Sequence, residues 1–279
     1  MKKNRIISLI KNNPAFFVGA AMLLFLALVV LFGPVFCEHT PDFLYDEMLS
    51  PPSLQHPFGT DGVGADIFSM AIYGTRTTLR IGITVALISS LIGMTIGGIS
   101  GYIGGVLDRI LCEFLNVFMM LPSFFLIVLV ISIYGNSINN IILVMALTNW
   151  IGSARLMRGQ AMALKEKAFI KNAQVIGESS FHIIFTHIIP NCLFTEIINL
   201  TMIISGAIMS EAGLSFLGLG DPNIISWGKI IALGRKYLPK CWWICAFPGL
   251  AILFTSLAFY LLGDGINRLQ DVKRKQMES

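Results

Sequence analysis

Charge is concentrated in one stretch of an otherwise apolar chain, KEKAFIKNAQVIGESSFHIIFTHIIPN, which runs from Lys165 to Asn191. Near its start, apolar residues recur at helical spacing at Ile170, Ala173 and Ile176. Gly177 follows, and glycine is suited to the left-handed residue that ends a helix. The stretch therefore predicts a first short helix that ends at Gly177 and offers an apolar ridge to a partner.

A second short helix is expected after Gly177. Ser179 or Ser180 can cap it, and its apolar positions continue at helical spacing until Pro190. Those positions are Phe181, Ile184, Phe185 and Ile188. Two helices this short and this polar cannot cross a hydrocarbon core of about 30 Å. We expect them to protrude from the membrane as a helix–turn–helix, here called the elbow, residues 165–189.

The rest of the composition indicates a membrane protein. Of 279 residues, 55% are hydrophobic and 13% are charged, and the mean hydropathy is +0.74. Soluble domains carry about 25% charged residues. The formal net charge of +4 is spread over the flanks of apolar runs, so it does not indicate nucleic-acid binding. The five cysteines form no CxxC motif and are expected to be packed free thiols.

Six stretches are long and apolar enough to cross a bilayer, which takes about 20 residues. They are Phe16–Phe36, Ile81–Leu107, two within Phe114–Ala154 that are separated near Tyr134–Ser137, Cys192–Ser210 and Cys241–Leu262. Gly33-Pro34 is a weak cleavage site, so the first stretch is expected to be a retained anchor. The sequence predicts an all-α integral membrane protein with six transmembrane helices.

The charge distribution orients these helices. Basic residues precede the first span, follow the fourth and end the chain: Lys2, Lys3, Arg5, Lys11, Arg155, Arg158, Lys165, Lys167, Lys171, Arg268, Lys273, Arg274 and Lys275. The loop after the first span is acidic. By the positive-inside rule, both termini and the elbow are expected to be cytoplasmic. Segment 211–240 is then outside, although it contains Lys229, Arg235, Lys236 and Lys240.

Small residues and prolines mark particular helices. Gly93, Gly97 and Gly101 recur every four residues in the second span and predict close packing against another helix. Pro122 and Pro248 are expected to kink the third and sixth spans. Two segments, 65–76 and the one that Ser226 caps and Pro239 ends, are expected to be short helices lying at the membrane surface.

The ionisable residues give no catalytic site. Glu196 is expected to pair with Arg155 or Arg158, and Glu211 to line an exit or meet water. The only Gly-Lys pair, Gly228-Lys229, does not fit the phosphate-binding pattern GxxxxGK[ST], because Asn223 stands where the first glycine belongs and Ile230 follows the lysine. His182 and His187 lie five residues apart, which favours packing or charge roles over metal binding. The chain is therefore expected to be a non-catalytic protein with no cofactor and no metal.

In the elbow, the chain resembles the inner-membrane permease subunits of binding-protein-dependent ABC importers. Their cytoplasmic signature reads Glu-Ala-Ala, three residues, Gly, nine residues, Ile, one residue, Leu-Pro. Ala173, Gly177, Ile189 and Pro190 fall on that spacing, with Ile189 in the Leu position.

The match to this signature has clear departures. Lys171 and Asn172 replace the Glu-Ala pair, and His187 replaces the first Ile. The ending His-Ile-Ile-Pro-Asn is similar to the dipeptide/oligopeptide/nickel branch of the family. So are three further blocks: HPFGTDGVGADIFSMAIYGTRTTL (56–79), SEAGLSFLGLGDPNIISWGKII (210–231) and FPGLAILFTSLAFYLLGDGINRLQD (247–271). The resemblance covers residues 15–272 and is strongest to the C-type subunit.

This resemblance implies a type I ABC importer permease fold. It implies an anchor and outer loop at 1–80, a permease core at 81–265 and a cytoplasmic tail at 266–279. The residues expected to couple to an ATPase are Lys171, Asn172, Ala173, Gly177, Glu178, Ser179, Ile189 and Pro190.

The implied function is half of the translocation pathway of a peptide importer in a prokaryotic cell membrane. The implied partners are a homologous second permease, two cytosolic ATPases that bind the ATP, an extracytoplasmic peptide-binding protein and membrane lipid. Nickel or another chelated metal is the alternative substrate. An ATP-independent secondary transporter and a membrane scaffold without a pathway are alternatives of other classes.

Overall fold

The computed structural model describes residues 13–278, with side chains as far as Leu269. Lys2, Lys3, Arg5 and Lys11 lie outside the described residues, as do the side chains of Lys273, Arg274 and Lys275. Within the described range the chain is helical, and its β-structure consists of two isolated bridges, Leu44 with Ala65 and Thr60 with Asp66.

The helices are α1 Pro14–Phe32, α2 Ile67–Ile103, α3 Gly105–Met120, α4 Ser123–Tyr134, α5 Ile138–Lys165, α6 Ala168–Ile176, α7 Ser180–Phe216, α8 Trp227–Gly234 and α9 Trp243–Glu278. Short 3₁₀ turns follow α1 and α8, at Gly33–Phe36 and Arg235–Tyr237. Five of these helices, α1, α2, α5, α7 and α9, are each long and apolar enough to cross a membrane.

The sixth crossing is the bent pair α3 and α4. The two helices meet at 81°. Pro122 lies at the break. It has no N–H to donate and its ring disfavours helix in the preceding residue, so the helix is interrupted there. Asp108, near the start of α3, binds Arg158 of α5, and Asn136, just after α4, binds the carbonyl of Gly220. The pair therefore runs from one end of the bundle to the other, and counted as one span it brings the candidate spans of the described residues to six.

The glycine repeat of α2 packs against α5, as the sequence predicts. A Cβ atom added at Gly93, Gly97 or Gly101 would collide with backbone or Cβ atoms of Ser153, Ala154 or Arg158. Dispersion contacts drive helix association in lipid, so the missing side chains let the two backbones approach closely. Gly101, the last of the three, lies against Arg158. The contact between α2 and α5 therefore extends to the end of α5 from which the elbow continues.

The loops collect at two opposite ends of the bundle. At one end, Asn13 donates a hydrogen bond to the carbonyl of Gly265, so the start of α1 meets the later part of α9. At the other end, Trp243 donates from its indole nitrogen to the carbonyl of Thr60. Segment 217–242 therefore lies with the 37–66 loop, and the elbow lies at the end where α1 starts.

The two segments expected to lie on the membrane surface differ in outcome. Segment 65–76 is not a separate helix, because Asp66 caps the first turn of the 37-residue α2 and the helix continues without a break. The helix capped by Ser226 does form, as α8, and ends earlier than expected at Gly234. Trp227 is 1% exposed and donates to the carbonyl of Ala71, so α8 packs onto the start of α2.

Both glutamates of α7 are buried, and neither behaves as expected. Glu196 accepts hydrogen bonds from Ser153 at 2.7 Å and Asn199 at 3.3 Å, and it forms no ion pair with an arginine among the described side chains. The expected pairing is wrong because Arg158 forms a two-pronged ion pair with Asp108 instead. Glu211 accepts from Ser215 and Ser226 and is 3% exposed, so it does not meet water.

Candidate functional site

The first elbow helix, α6, ends at Gly177 in the predicted way. Gly177 has φ of 89° and ψ of 21°, the left-handed conformation that glycine adopts without a Cβ penalty. Its N–H donates to the carbonyl of Gln174, and the N–H of Glu178 donates to the carbonyl of Ala173, both at 3.1 Å. These two bonds are those of a Schellman motif, and they satisfy carbonyls at the helix end.

The second elbow helix does not end at Pro190, contrary to the expectation. Ser179 caps it by accepting from the N–H of His182, and the chain then forms a π-helical stretch over Ile183–Ile188. Ile189 donates to Ile184, five residues back. Pro190 lies in the first turn of the following α-helical part, Ile189–Phe216, where its missing N–H is tolerated. The elbow is therefore continuous with the fifth span, as the helix α7.

One side of the elbow packs against the helix bundle. Its buried residues are Ile170, Ala173, Ile183, Ile184 and Ile188, and they cluster with Tyr102, Met157 and Ala161 of α2 and α5. Gln174 adds a hydrogen bond of 3.1 Å to the hydroxyl of Tyr102. The expected partner-facing ridge is therefore wrong for Ile170 and Ala173, which face this chain's own bundle. The predicted apolar positions that do stay exposed are Ile176, Phe181 and Phe185.

The opposite side of the elbow exposes other apolar residues. Val175 is 87% exposed, Ile176 80% and Phe181 71%. All three lie at or next to the turn at Gly177, beyond the end of α5, so lipid around the spans does not account for them. Fully burying one such side chain is worth about 1.5–3 kcal/mol. The tip of the elbow therefore presents an apolar surface suited to a protein partner.

The residues expected from the sequence to couple to an ATPase are distributed over both sides. Lys171, Asn172, Gly177, Ser179 and Pro190 are exposed, Glu178 and Ile189 are half-buried, and Ala173 is buried. The signature spacing identifies the elbow but not its outward face. Val175 and Phe181, at the exposed tip, fall on no signature position, and Tyr102, which contacts the elbow, comes from a distant helix.

Polar contacts fix the base of the elbow. Lys171 forms an ion pair of 3.0 Å with Glu166, across the junction between α5 and α6. Hydrogen bonding and the positive charge of Lys171 lower the pKa of the Glu166 carboxyl from its usual value. Lys165 lies over the ring of Tyr102, 5.6 Å from its centre. Deeper in, Arg158 joins Asp108 of α3 at 2.5 Å and 2.7 Å. The elbow thus contacts α2 directly, and the part of α5 that precedes it is held to α3.

Comparison with known proteins agrees with this arrangement. Residues 93–276 match the family described as binding-protein-dependent transport system inner membrane component, and residues 6–57 match the N-terminal transmembrane domain of oligopeptide transport permease C. The first of these matches contains the elbow, all of α5 and the end of α2 that packs against the elbow.

Similar proteins cover nearly the whole chain. The probable D,D-dipeptide transport system permease protein of Escherichia coli strain K12 is 35% identical over 96% of this chain and 91% of its own length. The dipeptide transport system permease protein of Bacillus subtilis strain 168 is 35% identical over 96% and 84%. The glutathione transport system permease protein of Salmonella typhimurium is 39% identical over 92% and 86%.

The bundle of apolar helices, the elbow with its signature spacing and the matched sequences lead to one conclusion. This chain is a multi-pass membrane protein of the binding-protein-dependent ABC importer permease family, with the type I permease fold.

Proposed function

We propose that this chain forms half of the translocation pathway of an ATP-driven importer of dipeptides or oligopeptides. The substrate class is supported by the similar proteins, whose names specify peptides, a dipeptide and glutathione. Nickel, the alternative substrate, has no comparable support among them. No catalytic role is assigned to this chain, and the ATP is bound by partner subunits.

The proposed assembly contains a homologous second permease, two cytosolic ATPases and an extracytoplasmic peptide-binding protein. Both termini and the elbow face the cytoplasm in this proposal, in accordance with the basic residues of the elbow. The 37–66 loop and α8 then face the binding protein.

The exposed tip of the elbow is the observation that supports ATP coupling. Val175, Ile176 and Phe181 form an apolar surface on a rigid turn, and the other side of the same turn is packed against the bundle. Because α7 is continuous from the elbow to residue 216, a displacement of the tip is transmitted directly to the fifth span. Closure of the ATPase dimer would thereby switch the pathway between its two openings, as a two-state element biased by nucleotide.

The test compares two aspartate substitutions at exposed apolar residues. Ile176→Asp places a charge in the proposed interface, and Leu54→Asp places one on a fully exposed residue of the 37–66 loop. Both variants should fold, because neither side chain is packed. In the proposed complex the ATPase buries Ile176, and losing that burial predicts a drop of roughly ten- to hundredfold in ATPase affinity for Ile176→Asp.

The readouts are co-purification of the ATPases and uptake of a labelled dipeptide into proteoliposomes. Leu54→Asp should retain ATPase binding. Equal ATPase binding and uptake in Ile176→Asp and the unsubstituted protein would exclude the elbow tip as the coupling surface. Uptake that continues without ATP would favour a secondary transporter instead.

A further inference from the structure

Next to the turn at Gly177, three side chains that can bind a metal ion lie close together. Glu178 lies just after the turn, and His182 and His187 lie on the following helix. Oε2 of Glu178 is 2.9 Å from Nε2 of His187 and 3.9 Å from Nε2 of His182. One ligand atom from each of the three residues lies within 4.8 Å of the other two.

The π-helical stretch makes this meeting possible. On an α-helix with 3.6 residues per turn, residues five apart point about 140° away from each other. Ile183–Ile188 is π-helical, with hydrogen bonds between residues five apart. In this geometry, residues five apart lie on nearly the same side of the helix. His187 therefore turns towards His182 and Glu178, which a five-residue spacing on an α-helix would prevent.

We propose that Glu178, His182 and His187 form a binding site for a divalent transition metal ion, with Zn²⁺ as the best match. Two imidazole nitrogens and one carboxylate oxygen are a ligand set that Zn²⁺ uses in proteins, with a fourth position left for water. Zinc ligands at about 2.0–2.2 Å in tetrahedral geometry lie roughly 3.3–3.5 Å apart. The two separations from Glu178, 2.9 Å and 3.9 Å, fall on either side of that value, and the two histidine ligand atoms lie within 4.8 Å of each other.

The surroundings of the three residues fit a metal site. Oγ1 of Thr186 is 3.4 Å from Nδ1 of His182, which orients the ring so that Nε2 faces Glu178. The side chains of Glu178 and His187 are 29% and 30% exposed, and that of His182 is 56% exposed, so an ion and its water can enter from solvent. The half-buried position of Glu178 limits the competition from bulk water.

A bound ion would link the turn at Gly177 to the second elbow helix. Glu178 belongs to the turn that closes α6, and His182 and His187 belong to α7. Three ligands on these two elements would fix the angle between α6 and α7. The site is on the elbow, separate from the membrane-spanning part of the pathway, so the ion is a structural or regulatory ligand and not cargo.

The direct test measures metal binding to the assembled transporter without a polyhistidine tag. The probes are ZnCl₂ titrated in a calorimeter and CoCl₂ followed by the visible absorption of tetrahedral Co²⁺. His182→Ala and Glu178→Gln should each weaken binding at least tenfold and remove one metal equivalent per copy of this chain. The matched control is His39→Ala, which removes a histidine of the 37–66 loop and should leave binding unchanged.

A second measurement covers the case in which a variant assembles poorly. Hydrogen exchange of amides 177–187 should slow when ZnCl₂ is added to the unsubstituted transporter and should not respond in His182→Ala. Metal binding that is equal in all variants, or absent in the unsubstituted protein, would overturn the proposal and leave a simple Glu178–His187 hydrogen bond. Neither readout depends on ATP turnover, so failure here is distinct from failure of the proposed function.

Discussion

Gln174 of α6 donates a hydrogen bond of 3.1 Å to the hydroxyl of Tyr102, near the end of α2. The two residues are 72 positions apart in the chain, and Tyr102 is 5% exposed. This bond connects the elbow to the second span, the helix that packs along α5 through its glycines. It offers a second route, besides α7, for movement of the elbow to reach the bundle.

Tyr102→Phe is predicted to weaken coupling without unfolding the chain. The ring remains buried, and the lost hydrogen bond is worth about 0.5–1.5 kcal/mol, which corresponds to a two- to tenfold shift in a two-state equilibrium. We expect fewer dipeptides transported per ATP hydrolysed in proteoliposomes. The control is Thr95→Val on the same helix, whose hydroxyl donates to the carbonyl of Leu91 one turn earlier. An unchanged transport ratio in Tyr102→Phe would contradict the second route.

Gly177→Val is predicted to reduce substrate-stimulated ATP turnover and uptake together. A β-branched residue at φ of 89° is strained by about 1–2 kcal/mol, and the Schellman motif would open. Gly177→Asn is the matched variant, because asparagine tolerates the left-handed region, and it should retain most activity. Both measurements are made on the assembled complex.

The two Gly177 variants separate backbone conformation from size. No atom lies within 4 Å of a Cβ placed at Gly177, so a clash within the chain does not explain a defect. Equal loss in the valine and asparagine variants would show that bulk at the partner interface matters more than conformation. Full activity in Gly177→Val would refute the proposal that movement of the elbow tip drives the fifth span.

Gly97→Ala is predicted to destabilise the bundle. Its Cβ would collide with the backbone of Ala154, and such overpacking costs typically about 1–3 kcal/mol. We expect a lower midpoint for thermal loss of the monodisperse fraction in detergent. Gly152→Ala on α5 is the control, because its Cβ meets no atom within 4 Å, and it should be neutral or stabilising. The reverse order of stabilities would show that the glycine face is not the packing contact.

Lys171→Glu is predicted to weaken binding of this transporter's own ATPases, although it restores the residue type of the family signature. Exposed ion pairs contribute about 0.2–1 kcal/mol, so the change should be a few-fold and should shrink at high salt. Lys171→Met should give an intermediate effect. Stronger ATPase binding by Lys171→Glu at low salt would show that the partner surface complements the usual glutamate.

Replacing Lys171 also removes its ion pair with Glu166, and the contribution of this pair to stability depends on pH. Lys171 lowers the pKa of the folded Glu166 carboxyl, so the pair stabilises the elbow fully above the ordinary glutamate value of about 4.3. That stabilisation is lost as the pH falls through the lowered pKa. The effect of Lys171→Met on ATPase binding should therefore be constant between about pH 6 and pH 8.

The sequence by itself determined the class of fold and the position of the site. Long apolar runs with flanking charge specify membrane spans, because unpaired backbone groups are too costly in lipid for any structure other than helix in such runs. The four-residue spacing of Gly93, Gly97 and Gly101 predicted a close helix contact, which α5 provides. Gly177 and Ser179 marked the elbow correctly, because a left-handed C-cap and an N-cap are local requirements.

Only the tertiary structure decided which face of each element points inward. In the elbow, the spacing of Ile170 and Ala173 marks an apolar face, but spacing alone cannot show that this face packs against α2 and α5 of the same chain and not against a partner. The partner of Glu196 is Ser153 because Asp108 already binds Arg158, a competition between helices distant in sequence. The π-helical path through Ile183–Ile188, which carries α7 past Pro190, likewise depends on non-local packing, because local spacing alone predicted a helix that ends there.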